Sequence, residues 1–321
     1  MESPAIIARA LAILRRGGFI GLPTETVYGL AADAENELAV RRIFAAKGRP
    51  VDHPVIVHLA DAKLLSQWAI EIPDSAWRLA AAFWPGPLTI ILRRSDKAAP
   101  AVSGGLSTIG LRVPSHPVAQ QVLQAFGGGL AAPSANRFGR VSPTMSQHVR
   151  DEFGDSIELV LEGGPCAVGL ESTIVDLSTA EPALLRYGAI TPEQIEAVLD
   201  RRLGNPGLNT TRASGRLASH YAPRAAVEVV SAGELEVKAA EWALGGAKVA
   251  VLSYALDCQL PGLAHYPIPA DAEGFARELY AALREADAWG AQVALVVPPP
   301  ESGLGLAIAD RLRKAAAPRQ G

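Results

Sequence analysis

The octapeptide STIGLRVP (Ser107–Pro114) alternates with period two: Ile109, Leu111 and Val113 share one face of an extended strand, and Thr108, Gly110 and Arg112 share the other. The apolar face calls for a core. The opposite face carries a hydroxyl, a gap and a guanidinium, which read either as the wall of a polar cavity or as a half-exposed strand with a surface arginine. Working outward, strand patterns recur at residues 19–22, 54–59, 88–93, 129–132, 157–161, 172–177 and 183–187. Helical patterns lie near 38–47, 74–83 and 117–126. Thr191, Pro192 and Gln194 supply an N-cap, a first-position proline and a third-position amide, so a helix starts there and runs to about Leu203. The mixture is an α/β fold.

Residues 204–223, GNPGLNTTRASGRLASHYAP, carry no apolar periodicity and read as a long linker. Alternation then resumes, with strands at 227–230, 248–253 and 292–297 and helices near 235–244, 272–288 and 303–316. The expected organisation is a first domain over 1–203, a linker over 204–225 and a smaller α/β domain over 226–321. A length of 321 residues suits two such domains, and 49% hydrophobic residues supply their cores.

A net charge of -3 gives no global positive field to draw the chain onto nucleic acid or anionic lipid, though a local basic pocket is compatible with it. Cys166 and Cys258 are far apart and not in CxxC spacing, which argues against a disulfide framework or structural zinc. The N-terminal stretch reads as a short amphipathic helix, and no apolar run has the length of a membrane span. The expectation is a soluble cytoplasmic protein.

The helix near 38–47 places Val40, Ile43, Phe44 and Lys47 at i, i+3, i+4 and i+7, so Lys47 shares the inward stripe. Gly48 ends it and Arg49 follows. The pair reads either as a compact cationic site or as a snorkelling lysine with charges suited to the helix dipole. His58 alternates with Ile56 on a strand. APSANRFG (Ala132–Gly139) offers Ser134 and Asn136 from a turn, GLESTIVDL (Gly169–Leu177) brings Ser172 to a strand, and ALLRYGAIT (Ala183–Thr191) places Arg186 on another. LPTETVYGL (Leu22–Leu30) crowds Thr24, Glu25 and Thr26 at a strand end. The chain has no GxxxxGK[ST], GxSxG or HExxH, and no GxGxxG after a strand. The strand-end hydroxyls with Lys47, Arg49, Arg112 and Arg186 suit an anionic ligand bound without a glycine-rich phosphate loop.

The order PTETVYGLAADA, KGRPVDHPVIVHL, FWPGPLTIIL, STIGLRVPSHP, APSANRFGRVSPT, ESTIVDL and LLRYGAIT resembles the threonylcarbamoyl-AMP synthase family, over about the first two hundred residues. The SHYAP linker and GLGLAIADRLRKAA resemble its long, two-domain form. The resemblance implies a YrdC-like twisted mixed sheet with a concave, positively lined cavity, followed by a Rossmann-like domain. It implies that L-threonine, bicarbonate (or CO2) and ATP give threonylcarbamoyl-AMP and pyrophosphate. Downstream threonylcarbamoyl-transferase proteins then modify adenosine 37 of tRNA, which the chain meets only indirectly.

By the same resemblance Lys47 and Arg49 are the catalytic cations. Thr24, His58, Thr108 and Arg112 hold threonine, with Arg112 as carboxylate clamp. Thr26, Lys47, Arg49, Ser134, Asn136, Ser142 and Arg186 hold ATP or AMP, and Ser172 serves the two sets. His220 and Tyr221 of the linker cover the cavity, or Tyr221 anchors the linker on the surface. Magnesium accompanies ATP, with no dedicated protein metal site, and no general base is identified. An RNA-binding module with a basic concave cavity is the alternative, and a steep salt dependence of RNA affinity would mark it.

Overall fold

The strand around Gly110 lies in the middle of a mixed sheet. The computed structural model describes residues 1–204, 221–256 and 260–318, and the first unit's strands are, in chain order, β1 (Ile20–Leu22), β2 (Gly29–Asp33), β3 (Ile56–His58), β4 (Ala69–Ile70), β5 (Leu88–Arg94), β6 (Thr108–Arg112), β7 (Leu130–Ala131), β8 (Thr173–Asp176) and β9 (Ala183–Arg186). Across the sheet they run β1-β2-β7-β3-β6-β5-β8-β9, with β4 paired to β5. The β3–β6 and β5–β8 pairs are parallel and the β5–β6 pair is antiparallel.

The two faces differ as the alternation requires. Val57, Ile90, Leu92, Ile109, Leu111 and Val175 enter one large cluster with Trp68, Leu79 and Phe44. Each such side chain contributes about 1.5–3 kcal/mol on burial. On the opposite face Ile91, Ile174 and Leu185 form a small cluster with Ile56 packed on it, and Leu130, opposite His58, joins a further cluster with Ile13, Leu14, Val118 and Val122. That face bears Gly110 and Arg112, and at Gly110 it meets Ile56, Ile91 and Thr89.

Helix Glu37–Lys47 is capped by the Asn36 side chain and stopped by Gly48 at φ 62°. The Thr191–Gln194 capping box forms as the residue types dictate, but its helix ends at Leu199, because Asp200 adopts φ 54°. Residues 157–161 do not form a strand. They make two main-chain bonds to Gly21 and one bridge, Gly21 to Val160, beside a β1 only three residues long. Strand β2, sequence GLAAD, escapes the alternation rule because its first four residues are all buried.

The second unit is a four-stranded parallel sheet, β10 (Ala226–Val229), β11 (Val249–Ser253), β12 (Leu263–Pro267) and β13 (Val293–Val296), in the order β10-β13-β11-β12. Helices Leu235–Leu244, Ala272–Trp289 and Leu304–Ala316 connect and close it. Residues 139–142 and 168–170 belong to this second compact unit, while the residues flanking them belong to the first. Among the described residues no helix is long and apolar enough to cross a membrane.

Candidate functional site

Lys47 ends its helix on the same buried stripe as Val40, Ile43 and Phe44. It is 2% exposed, so its ammonium has lost water, and it donates instead to the main-chain carbonyls of Ser134 and Asn136. Phe138 N donates to the Lys47 carbonyl at 2.8 Å, which closes the turn around the lysine. Burial drives the Lys47 pKa well below the usual lysine value, the Arg49 charge pushes the same way, and Glu152 opposes both. Arg49, also buried, donates to Pro54 O at 2.9 Å and lies 6.0 Å from the Phe44 ring centre. The Asn136 amide donates to Arg137 O at 2.8 Å. The signature serine and asparagine therefore hold Lys47 through their carbonyls.

The three polar residues at the strand end form a directed chain. Thr24 Oγ1 accepts from the amides of Thr26 and Val27 and donates its proton to Val27 O at 2.7 Å. The 2.9 Å contact between the two hydroxyls must then run from Thr26 to Thr24. Thr26 in turn accepts from Arg112 Nη1 at 2.8 Å. Arg112 Nε donates to Gly86 O at 3.2 Å. Arg112 Nη2 lies 2.7 Å from Glu25 Oε1, yet neither atom makes an aligned hydrogen bond, so this contact is electrostatic. Glu25 Oε2 accepts from Ser115 N at 3.1 Å. The Thr24–Thr26 turn thus orients and partly neutralises Arg112, which is 3% exposed.

His58 sits directly across from Arg112 in the β3–β6 register and is likewise 3% exposed. Its Nδ1 has no hydrogen-bond partner. Burial first, and the Arg112 charge second, hold its pKa down to about 3, so the ring is neutral at physiological pH. On the other side of the sheet centre, Ser172 Oγ lies 2.7 Å from Thr89 Oγ1 and accepts from Arg186 Nη2 at 3.0 Å. Arg186 Nε donates to Ser172 O at 2.9 Å. Gly188 lets this corner close, since a Cβ there would lie 2.3 Å from Thr173 N. Thr89 had no distinguishing signal in LTIILRR, where it reads as an ordinary strand former.

Tyr28 ties three loops together. Its hydroxyl donates to Gly164 O at 2.9 Å and accepts from Gly163 N at 3.0 Å, while its main chain bonds Pro143 O and Ala135 N. Burial pushes its pKa up to about 12. Burial, and then the Glu25 charge, push the Cys166 thiol up as well, so it is an inert packing residue.

The remaining expected site residues have these surroundings. Thr108 is half-buried opposite Arg93, four residues from Arg112 and so about 13 Å away along the strand. Ser142 belongs to the second unit and its carbonyl accepts from Arg284 Nε at 3.4 Å. Tyr221 is 1% exposed, adopts φ 61°, stacks on Tyr280 at 6.0 Å and has the Arg311 guanidinium 5.2 Å above its ring. Its ring is an anchor within the second unit. His220 lies outside the described residues. Among the described residues no group of three or more His, Cys, Asp or Glu side chains could hold a metal ion.

Residues 12–188 match the Sua5/YciO/YrdC family model, described as telomere recombination. Residues 190–317 match the model described as threonylcarbamoyl-AMP synthase, C-terminal domain. The threonylcarbamoyl-AMP synthase of Pyrococcus abyssi is 40% identical over 320 residues, 95% of this chain and 92% of the relative. That of Bacillus subtilis is 38% identical over 331 residues, 98% of this chain and 93% of the relative. Pyrococcus abyssi Sua5, solved in complex with L-threonine, superposes with a TM-score of 0.89 at 39% identity, covering 97% of this chain and 94% of that one. Similarity spans both units at nearly full length, and the chain belongs to the threonylcarbamoyl-AMP synthase family.

Proposed function

We infer that this chain joins L-threonine, bicarbonate (or CO2) and ATP into threonylcarbamoyl-AMP and pyrophosphate. The observation that carries the reading is the full-length similarity to synthases, one of them solved with L-threonine. The RNA-binding alternative is not favoured by it.

In this reading the threonine amine loses a proton and its nitrogen bonds to the carbon of CO2. A carbamate oxygen then attacks the α-phosphorus of ATP, and the bond to pyrophosphate breaks. The chain contributes positioning and fixed charge. Lys47 and Arg49 stabilise the carbamate and the crowded phosphate charge. Arg112 keeps Nη2 protons without an aligned protein acceptor, and these receive the threonine carboxylate. Glu25 beside it faces the ammonium. His58 accepts a hydrogen bond at Nδ1. With a pKa near 3 it is too weak a base to take the amine proton, which leaves to bicarbonate or to a phosphate oxygen. Thr24 acts through the orientation of Arg112, and Thr108 remains assigned to the outer wall of the threonine site. Thr26, Ser134, Asn136 and Arg186 serve the adenylate. Magnesium arrives on the phosphates of ATP as part of that substrate. Transferase proteins that consume the adenylate for tRNA modification are the expected partners.

Pyrophosphate release tests the reading. It should require ATP, L-threonine and bicarbonate together and vanish in Lys47→Ala. Release without threonine and bicarbonate, or none from folded wild-type protein with magnesium, would refute it.

A further inference from the structure

We propose that Thr89 is a positioning residue for this reaction: it donates to Ser172 and so fixes the Ser172 hydroxyl as a donor to a substrate oxyanion. The inference rests on the synthase reading.

A count of protons motivates it. Thr89 and Ser172 are 0% and 1% exposed, and their hydroxyls lie 2.7 Å apart. Between them they own two O–H protons. One proton lies in the bond they share. Ser172 also receives an N–H from Arg186 at 3.0 Å, which adds a donor and no acceptor. The second hydroxyl proton therefore has no acceptor among the described residues, in a place without bulk water. A buried donor left unmade costs about 1–3 kcal/mol, and a ligand oxygen is the group that would take it.

The backbone decides which hydroxyl faces the ligand. Thr89 is inside β5, paired to Ile174 of β8, whereas Ser172 precedes β8 in the connecting loop. The Thr89 methyl is held as well. A Cβ built on Gly110 would touch Thr89 Cγ2 at 3.4 Å, so the bare glycine leaves the methyl its place. A β-branched residue with its methyl against β6 has its χ1 set, and its hydroxyl is turned to Ser172. With Thr89 and Arg186 both donating to it, Ser172 has filled its acceptor sites and can only donate outward. The ligand end is an oxyanion, either the carboxylate of the amino acid or a phosphate of ATP.

The test is a double-mutant cycle on the full chain, with KM for L-threonine, KM for ATP and kcat measured by pyrophosphate release. Thr89→Val keeps the shape and removes the proton. It should raise one KM about tenfold, the worth of one hydrogen bond, with kcat changed less than about threefold. The substrate whose KM rises identifies the oxyanion. Thr89→Ser restores the hydroxyl and should recover most of the loss. In a Ser172→Ala background, neither Thr89 variant should add to the effect, because Thr89 acts through Ser172. Unchanged KM values in Thr89→Val overturn the proposal, as do additive effects in the double variant. If Thr89→Val does not fold, Thr89→Ala removes the same hydroxyl, and its effect with and without Ser172→Ala decides by the same additivity criterion. Wild-type protein that releases no threonine-dependent pyrophosphate defeats the synthase reading instead, which separates the two failures.

Discussion

Buried His58 should make the first unit lose stability as the pH falls below neutral. The folded-state value is about 3 against an ordinary value of 6.5, with burial the larger cause and Arg112 the second. The unfolded chain therefore binds a proton that the folded chain refuses, and stability falls as pH drops from 6.5 towards 3. Above 6.5 the histidine is neutral in both states and contributes no pH dependence. Going from pH 7 to pH 5.5 removes about 1 kcal/mol, and going to pH 5 about 2 kcal/mol. The figure does not depend on where below about 4 the folded value lies, because only the unfolded chain titrates in this interval. Carboxylates titrate nearby, so the comparison is with His58→Asn, which keeps a polar side chain without the ionisation. Urea unfolding followed by tryptophan fluorescence at pH 7, 5.5 and 5 would give the two pH slopes. The wild type should lose about 2 kcal/mol more than the variant by pH 5. Parallel slopes would show that His58 is solvated or paired in the folded protein, and the neutral acceptor role given to it would fall.

Three further perturbations test other parts of the site. Lys47→Met removes a buried ammonium together with its bonds to two carbonyls; the two losses, each of a few kcal/mol, oppose one another, so the melting temperature should move by only a few degrees while pyrophosphate release disappears. Glu25→Gln leaves Arg112 buried without its counter-charge and should cost about 3 kcal/mol, read as a lower urea midpoint; an unchanged midpoint would mean that the pair is solvated. Gly188→Ala drives a Cβ to 2.3 Å from Thr173 N and 2.7 Å from Glu171 O, so it should cost at least about 2 kcal/mol and misplace Ser172; wild-type stability and KM values together would contradict that packing.

The parts of this fold that the sequence declares are those governed by a local period or a local cap. TIGLR shows its two faces because Ile109 and Leu111 enter the large core, while Gly110 on the other side meets Ile56, Ile91 and Thr89. Lys47 falls on a stripe of spacing three and four, and the structure buries it there. Thr191, Pro192 and Gln194 state their helix start in four residues. β2 stays hidden for the opposite reason, since burial on both faces of GLAAD erases the alternation. Contacts between distant residues stay hidden as well. Arg112 and Thr26 are 86 positions apart, and Thr89 and Ser172 are 83 apart. No residue-level pattern records such pairs, because the register between strands decides them. The same limit applies to Ser134 and Asn136, whose residue types advertise side chains while the fold spends their carbonyls on Lys47.

That use of carbonyls bears on how a chain of net charge -3 can handle a polyanion. The buried cations of the first unit do not form an open basic patch: Lys47 is tied to two carbonyls, Arg49 to Pro54, Arg112 to Gly86, Thr26 and Glu25, and Arg186 to Ser172. Carbonyl dipoles offset the loss of water around Lys47. The cations are then already held when substrate arrives, and little reorganisation is left for the moment of adenylyl transfer. Arg112 has a carboxylate at 2.7 Å, and in the proposed reading it is the cation that meets the amino acid. A zwitterion brings both signs, so under that reading a fixed Arg–Glu pair is a template that matches it group for group.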